Sequence, residues 1–223
     1  VPSDLDDVAL ISGGMYHNLA LTSAGEVVAW GWNDYGQTDI PDDLEDVIGV
    51  SAGGNHNLAL TSAGEVVSWG RNDYGQTDIP EDLDDIVAVA GGFYHSLALT
   101  STGEVVAWGQ NDHGQTDVPS DLDDVVAISA YAYHSLALTS TGEVVAWGWN
   151  TNGQTDIPDG LDDVVAVAAG YYYNLVLISS GEVVAWGYNN HGQTDVPEDL
   201  EVLVYADACD CNGNTLDRTG ECG

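Results

Sequence analysis

The stretch WGWNDYGQTDIP, Trp30 to Pro41, returns four times: WGRNDYGQTDIP from Trp69, WGQNDHGQTDVP from Trp108, WGWNTNGQTDIP from Trp147 and WGYNNHGQTDVP from Trp186. Each copy begins 39 residues after the last, and Pro2 keeps the same step with Pro41. Trp, Gly, Asn, Gly, Gln, Thr, Asp and Pro stay fixed, while the positions of Trp32, Asp34 and Tyr35 drift. No insertion breaks the register, so the repeat is one structural unit set against copies of itself.

Each unit holds three short apolar runs bounded by turn residues. In the third, DIVAVAGG is rich in branched residues on both faces, as in a strand covered on two sides. HSLALTS alternates Leu97 and Leu99 with smaller residues. GEVVAWG puts Val106 and Trp108 on one face, and Val105 and Ala107 on the other. TSTG between the last two reads as a tight hairpin whose Gly takes the left-handed conformation. No unit carries a helical period of useful length. The expectation is an all-β fold: a five-unit β-propeller of short, three- to four-stranded antiparallel blades. Residues 1–200 form it, and 201–223 add one further strand and a Cys- and Asp/Asn-rich tail.

The chain has no Lys, two Arg and 37 Asp plus Glu, a formal charge of −35. That argues against nucleic-acid phosphate or an anionic membrane as a partner. No apolar run reaches the roughly 20 residues needed to cross a bilayer. All three Cys (Cys209, Cys211 and Cys222) lie in the tail, which points to an oxidising setting, extracellular or at the cell surface. Cys209 and Cys211 are too close to bridge each other easily, so Cys222 is expected to pair with one of them.

The run HSLALTSTGEVVAWGQNDHGQ resembles the repeat of the RCC1-type propellers, with their G-x-V-x-x-W-G-x-N-x-x-G-Q core. The 39-residue period and the GQTDVP ending are similar to the β-lactamase inhibitor protein II group, secreted proteins with three-stranded blades. The likeness covers about Val8 to Pro197. Members of both types close with seven blades, whereas five units stand here. In the inhibitor relatives, loop aromatics on one face clamp the partner enzyme. The nucleotide-exchange activity of nuclear RCC1 proteins depends on features outside this repeat and is not implied.

Strand direction places two variable windows on one face: the loop after the first strand, and the segment after the frame Trp. Twelve aromatics fall there. Tyr16, Phe93, Tyr94, Tyr131, Tyr133, Tyr171 and Tyr172 lie in the first window; Trp32, Tyr35, Tyr74, Trp149 and Tyr188 lie in the second. Core aromatics would repeat with the frame, but these change from unit to unit, which suits recognition. Packing of loop on loop is the competing explanation. The frozen letters read as scaffold, with Gly31 and Gly36 in turns and Asn33 closing an Asx-type turn. Gln37, Thr38 and Asp39 would bond backbone between units.

His17, His56, His95 and His134 recur in register, with Tyr173 in the fifth slot. They suit a shared hydrogen bond better than a metal ring. No nucleophile elbow, zinc motif or phosphate-binding glycine loop is present, and no enzyme activity is expected. The acidic connections read as a solvated rim. Calcium is a candidate cofactor in the tail, where Asp207, Asp210, Asn212, Asn214 and Asp217 could supply oxygen ligands. Together these features describe a secreted, non-enzymatic module that binds a protein partner or copies of itself through its aromatic face. A filament or surface-layer subunit, a calcium-dependent polysaccharide adhesin and a protein inhibitor are the alternatives.

Overall fold

The computed structural model describes residues 2, 5–197 and 200, so Cys209, Cys211, Cys222, the candidate calcium ligands 207–217 and the extra strand at 201–206 lie outside the described residues. Among the described residues, fifteen strands follow the repeat, in five sheets of three. Blade 1 holds β1 (Val8–Gly13), β2 (His17–Thr22) and β3 (Val27–Gly31). Blade 2 holds β4 (Val47–Ala52), β5 (His56–Thr61) and β6 (Val66–Gly70). Blade 3 holds β7 (Ile86–Gly91), β8 (His95–Thr100) and β9 (Val105–Gly109). Blade 4 holds β10 (Val125–Tyr131), β11 (His134–Thr139) and β12 (Val144–Gly148). Blade 5 holds β13 (Val164–Ala169), β14 (Tyr173–Ile178) and β15 (Val183–Gly187). Each sheet is an antiparallel meander with the middle strand central. The blades are three-stranded, the lower of the two expected numbers.

Local chemistry sets each corner. Gly103 closes the β8–β9 hairpin at φ 84°, as its counterparts do in the other blades. Each first strand begins with a bulge, where Val8 faces Thr22 but Leu10 faces Leu21. The residue before it is Asp7, Asp46, Asp85, Asp124 or Asp163, all at φ between 51° and 56°. Asp tolerates this left-handed conformation better than most side chains. Its carbonyl accepts a bond from the hairpin, as from Ser101 N to Asp85 O at 2.8 Å. Part of what reads as a solvated acidic rim is thus a backbone device.

The core lies between blades. Leu97, Leu99 and Val105 of blade 3 pack against Val125, Ala137 and Trp147 of blade 4, and the other three junctions repeat this. The two faces of GEVVAWG serve two junctions: Val106 and Trp108 pack towards blade 2, and Val105 and Ala107 towards blade 4. First strands of consecutive blades pack on one another and so lie towards the axis.

The described chain is an arc whose two ends are uncovered. Val8 is 40% exposed, while Val47, Ile86, Val125 and Val164 at the same repeat position are 3–4% exposed. At the other end, Leu175 and Leu177 line an open apolar cleft with Ala166, Ala168 and Val183, although Leu136 and Leu138 before them are sealed. Ile11 and Ile128 share one repeat position, but Ile11 is 79% exposed and Ile128 packs into a junction. Ile128→Ala should therefore cost about 2 kcal/mol, and Ile11→Ala no more than about 0.5 kcal/mol, in urea unfolding. Equal costs would mean that the first blade is covered like the others.

Candidate functional site

The scaffold beneath the variable windows is a set of equivalent histidine struts between blades, ending on asparagine or serine. His56 Nε2 lies 2.9 Å from Ser96 Oγ in the next blade. Ser96 Oγ spends its proton on the Gln76 carbonyl at 2.8 Å, so His56 Nε2–H is the donor. Trp108 Nε1 donates to the same carbonyl at 3.0 Å. His17–Asn57, His95–Ser135 and His134–Asn174 repeat the link at 2.6–3.0 Å. The histidines are therefore structural, and the described residues contain no grouping of three or more potential metal ligands. Burial is the main cause that drives His56 and His95 down to about 3, and it lowers His17 and His134 as well.

Two expectations for the frozen letters need correction. Asn33 does not close a two-residue Asx turn. Its Oδ1 accepts from Thr38 N at 2.7 Å and its Nδ2 donates to Asp39 Oδ1 at 2.6 Å, clamping a longer loop. Gln37 does join units, but through its carbonyl, which accepts from Asn57 and Trp69. Its side chain turns inward to cap Tyr35 N at 3.0 Å, and Thr38 and Asp39 serve their own loop. A side chain that bonds backbone two residues away and one that bonds it five away look alike in sequence.

The two windows do share one face, because backbone bonds join them: Trp32 N to Tyr16 O, Gln110 N to Tyr94 O and Trp149 N to Tyr133 O, at 2.8–2.9 Å. Glycine makes the approach possible. A side chain on Gly109, at φ 101°, would put its Cβ 2.6 Å from Tyr94 O.

All twelve window aromatics belong to one cluster, in which Arg71 links Tyr16, Trp32 and Tyr35 to the other nine rings. Tyr16, Trp32 and Tyr35 meet edge to face at 5.7 and 5.3 Å. Phe93 touches Tyr94, Tyr133 and Tyr171. Tyr74 packs on Tyr94 and Trp149 on Tyr133. Tyr171 continues to Tyr131 and Tyr172, and Tyr172 to Tyr188. Phe93 differs from the others: at 6% exposure it is the ring on which its neighbours rest, so it braces the face from below. Tyr16, Tyr35, Tyr74 and Tyr171 are the exposed members, at 38–59%. Burial raises the hydroxyl pKa of Tyr94, Tyr131 and Tyr133, and burial with the Tyr171 hydroxyl brings Tyr172 to about 12. These hydroxyls remain neutral donors at physiological pH.

Arg71 joins this cluster, and sequence reading had not assigned it to the face. Its guanidinium lies 4.6 Å from the Tyr35 ring centre and 5.1 Å from that of Tyr94. Nε binds Asp73 at 2.6 Å and Nη1 donates to the Tyr94 hydroxyl at 3.2 Å. The available signal was its place in the variable window, at the repeat position of Trp32 and Trp149.

A sequence model of the regulator of chromosome condensation (RCC1) repeat matches residues 8–37, 47–76, 86–115, 125–154 and 164–193, more than half of the chain. No curated protein matches. Among solved structures, human WBSCR16 superposes with a TM-score of 0.72 at 25% identity, over 83% of this chain and 64% of that one. Prp20p of Saccharomyces cerevisiae, in a study of its binding to Gsp1p and histones, gives 0.72 at 23% identity over 99% and 64%. Yeast RCC1 (Prp20) bound to Kap60 gives 0.73 at 25% identity over 99% and 63%. The chain thus spans just under two thirds of the length of these structures. Its five matched segments each begin at the first strand of a three-stranded blade, and the chain belongs to the RCC1 repeat family.

Proposed function

We propose that this chain is a non-enzymatic binding module whose aromatic face docks a protein partner outside the cell. One observation carries the reading: twelve of the residues in the two variable windows are aromatic, and together with Arg71 they form one cluster on one face of the arc. A fixed scaffold beneath variable, stiff, amphipathic rings is the arrangement expected of a recognition surface. The RCC1 repeat supports a protein-binding role, since Prp20p binds Gsp1p and histones and is seen bound to Kap60. The Cys-bearing tail supports an extracellular setting. The narrower likeness to the β-lactamase inhibitor protein II group rests on the sequence period and favours the same face.

Tyr74→Ala combined with Tyr171→Ala tests this reading, because both rings are exposed and carry little of the core. Binding of a partner isolated with the wild-type chain should weaken at least tenfold, while the thermal midpoint stays within a few degrees. Full binding with an altered midpoint would assign the rings to loop packing instead.

A further inference from the structure

The seat of Arg71 has a counterpart one blade further on with no cation in it. Around Arg71 stand Tyr35 from the blade before, Tyr94 from the blade after, and the Asp73 carboxylate on its own loop. Moving each by one repeat of 39 residues gives Tyr74, Tyr133 and Asp112, so both rings and the carboxylate persist. Only the arginine is replaced, by Gln110. Its Nε2 donates to Asp112 Oδ2 at 2.7 Å, taking the place of the Arg71 Nε bond. Its Oε1 is buried and has no hydrogen-bond partner. Blades 4 and 5 carry Thr151 and Asn190 where the carboxylate would stand, so they lack this combination.

We propose that the Tyr74–Asp112–Tyr133 seat takes an arginine side chain of the protein partner. A guanidinium there would stack against tyrosine rings as Arg71 does, pair with Asp112 and, as the Gln110 amide turns outward, donate to its unmet Oε1. Planar guanidinium is the cation suited to simultaneous stacking and forked donation. Ammonium can satisfy the charge but not the plane. The chain's −35 charge attracts cationic surfaces in general, and the seat adds selectivity for arginine. This inference rests on the aromatic face being the docking surface.

The test titrates the full chain with acetylated Gly-Arg-Gly peptide amide and with its lysine and citrulline counterparts. Binding is followed by the indole N–H signal of Trp149, whose ring lies 5.9 Å from that of Tyr133. The arginine peptide should bind saturably, and the others at least fivefold more weakly. Asp112→Asn should weaken the arginine peptide at least tenfold. Gln110→Arg should do the same by filling the seat from within, with the thermal midpoint held or raised. Equal binding of arginine and lysine peptides, or full affinity in Gln110→Arg, would overturn the proposal in favour of bulk charge. If Tyr74→Ala with Tyr171→Ala loses the partner while Gln110→Arg keeps it at full affinity, the face stands and the arginine seat falls.

Discussion

Acidifying the protein from pH 7 to pH 5 should lower its stability by about 4 kcal/mol, through His56 and His95 alone. Both are held neutral, at about 3, chiefly because burial penalises the charged form. In the unfolded chain they titrate near 6.5. Above that value both states are neutral and the two residues contribute nothing to the pH dependence. Below it the unfolded chain takes up protons that the folded chain refuses, so stability falls steadily as the pH drops towards 3. At pH 5 this is about 2 kcal/mol for each residue. His17 and His134 shift in the same direction and add to the loss. Chemical denaturation at pH 7, 6 and 5 would show the slope, and His95→Gln should flatten it. A midpoint unchanged between pH 7 and pH 5 would contradict the buried, Nε2-donating assignment.

Trp108→Ala should cost about 3–5 kcal/mol, the range for deleting a large buried aromatic. Trp108 is 7% exposed and fills the junction between blades 2 and 3 against Leu58 and Leu60. Its loss also removes a donor to the Gln76 carbonyl, leaving Ser96 as that acceptor's remaining partner across the junction. The same change at Trp30, whose outward side meets no preceding blade among the described residues, should cost clearly less. Urea unfolding of the two variants makes the comparison. Similar losses would place the stabilising contact within each blade rather than between blades.

The two mutations differ because a repeat sequence fixes what each blade is and not what lies beside it. Strand, hairpin and blade were legible from Leu97, Leu99, Trp108 and Gly103, since those patterns depend on neighbours along the chain. The shared end of the two windows was legible too, because strand direction alternates regardless of packing. The sequence by itself therefore determined the fold class, the five units and the set of twelve aromatics. Only the tertiary structure decided the bonds that cross from one unit to the next. Those include the use of the Gln37 carbonyl instead of its side chain, the left-handed Asp85, and the burial that turns four histidines into neutral struts. It also showed Phe93 beneath the face rather than on it, and Arg71 between rings supplied by two other blades. Residues 35, 71 and 94 are distant along the chain, and the guanidinium meets both rings only after three blades have stacked. Contacts between units depend on the rotation from blade to blade, and a linear spacing of 39 residues carries no record of that angle.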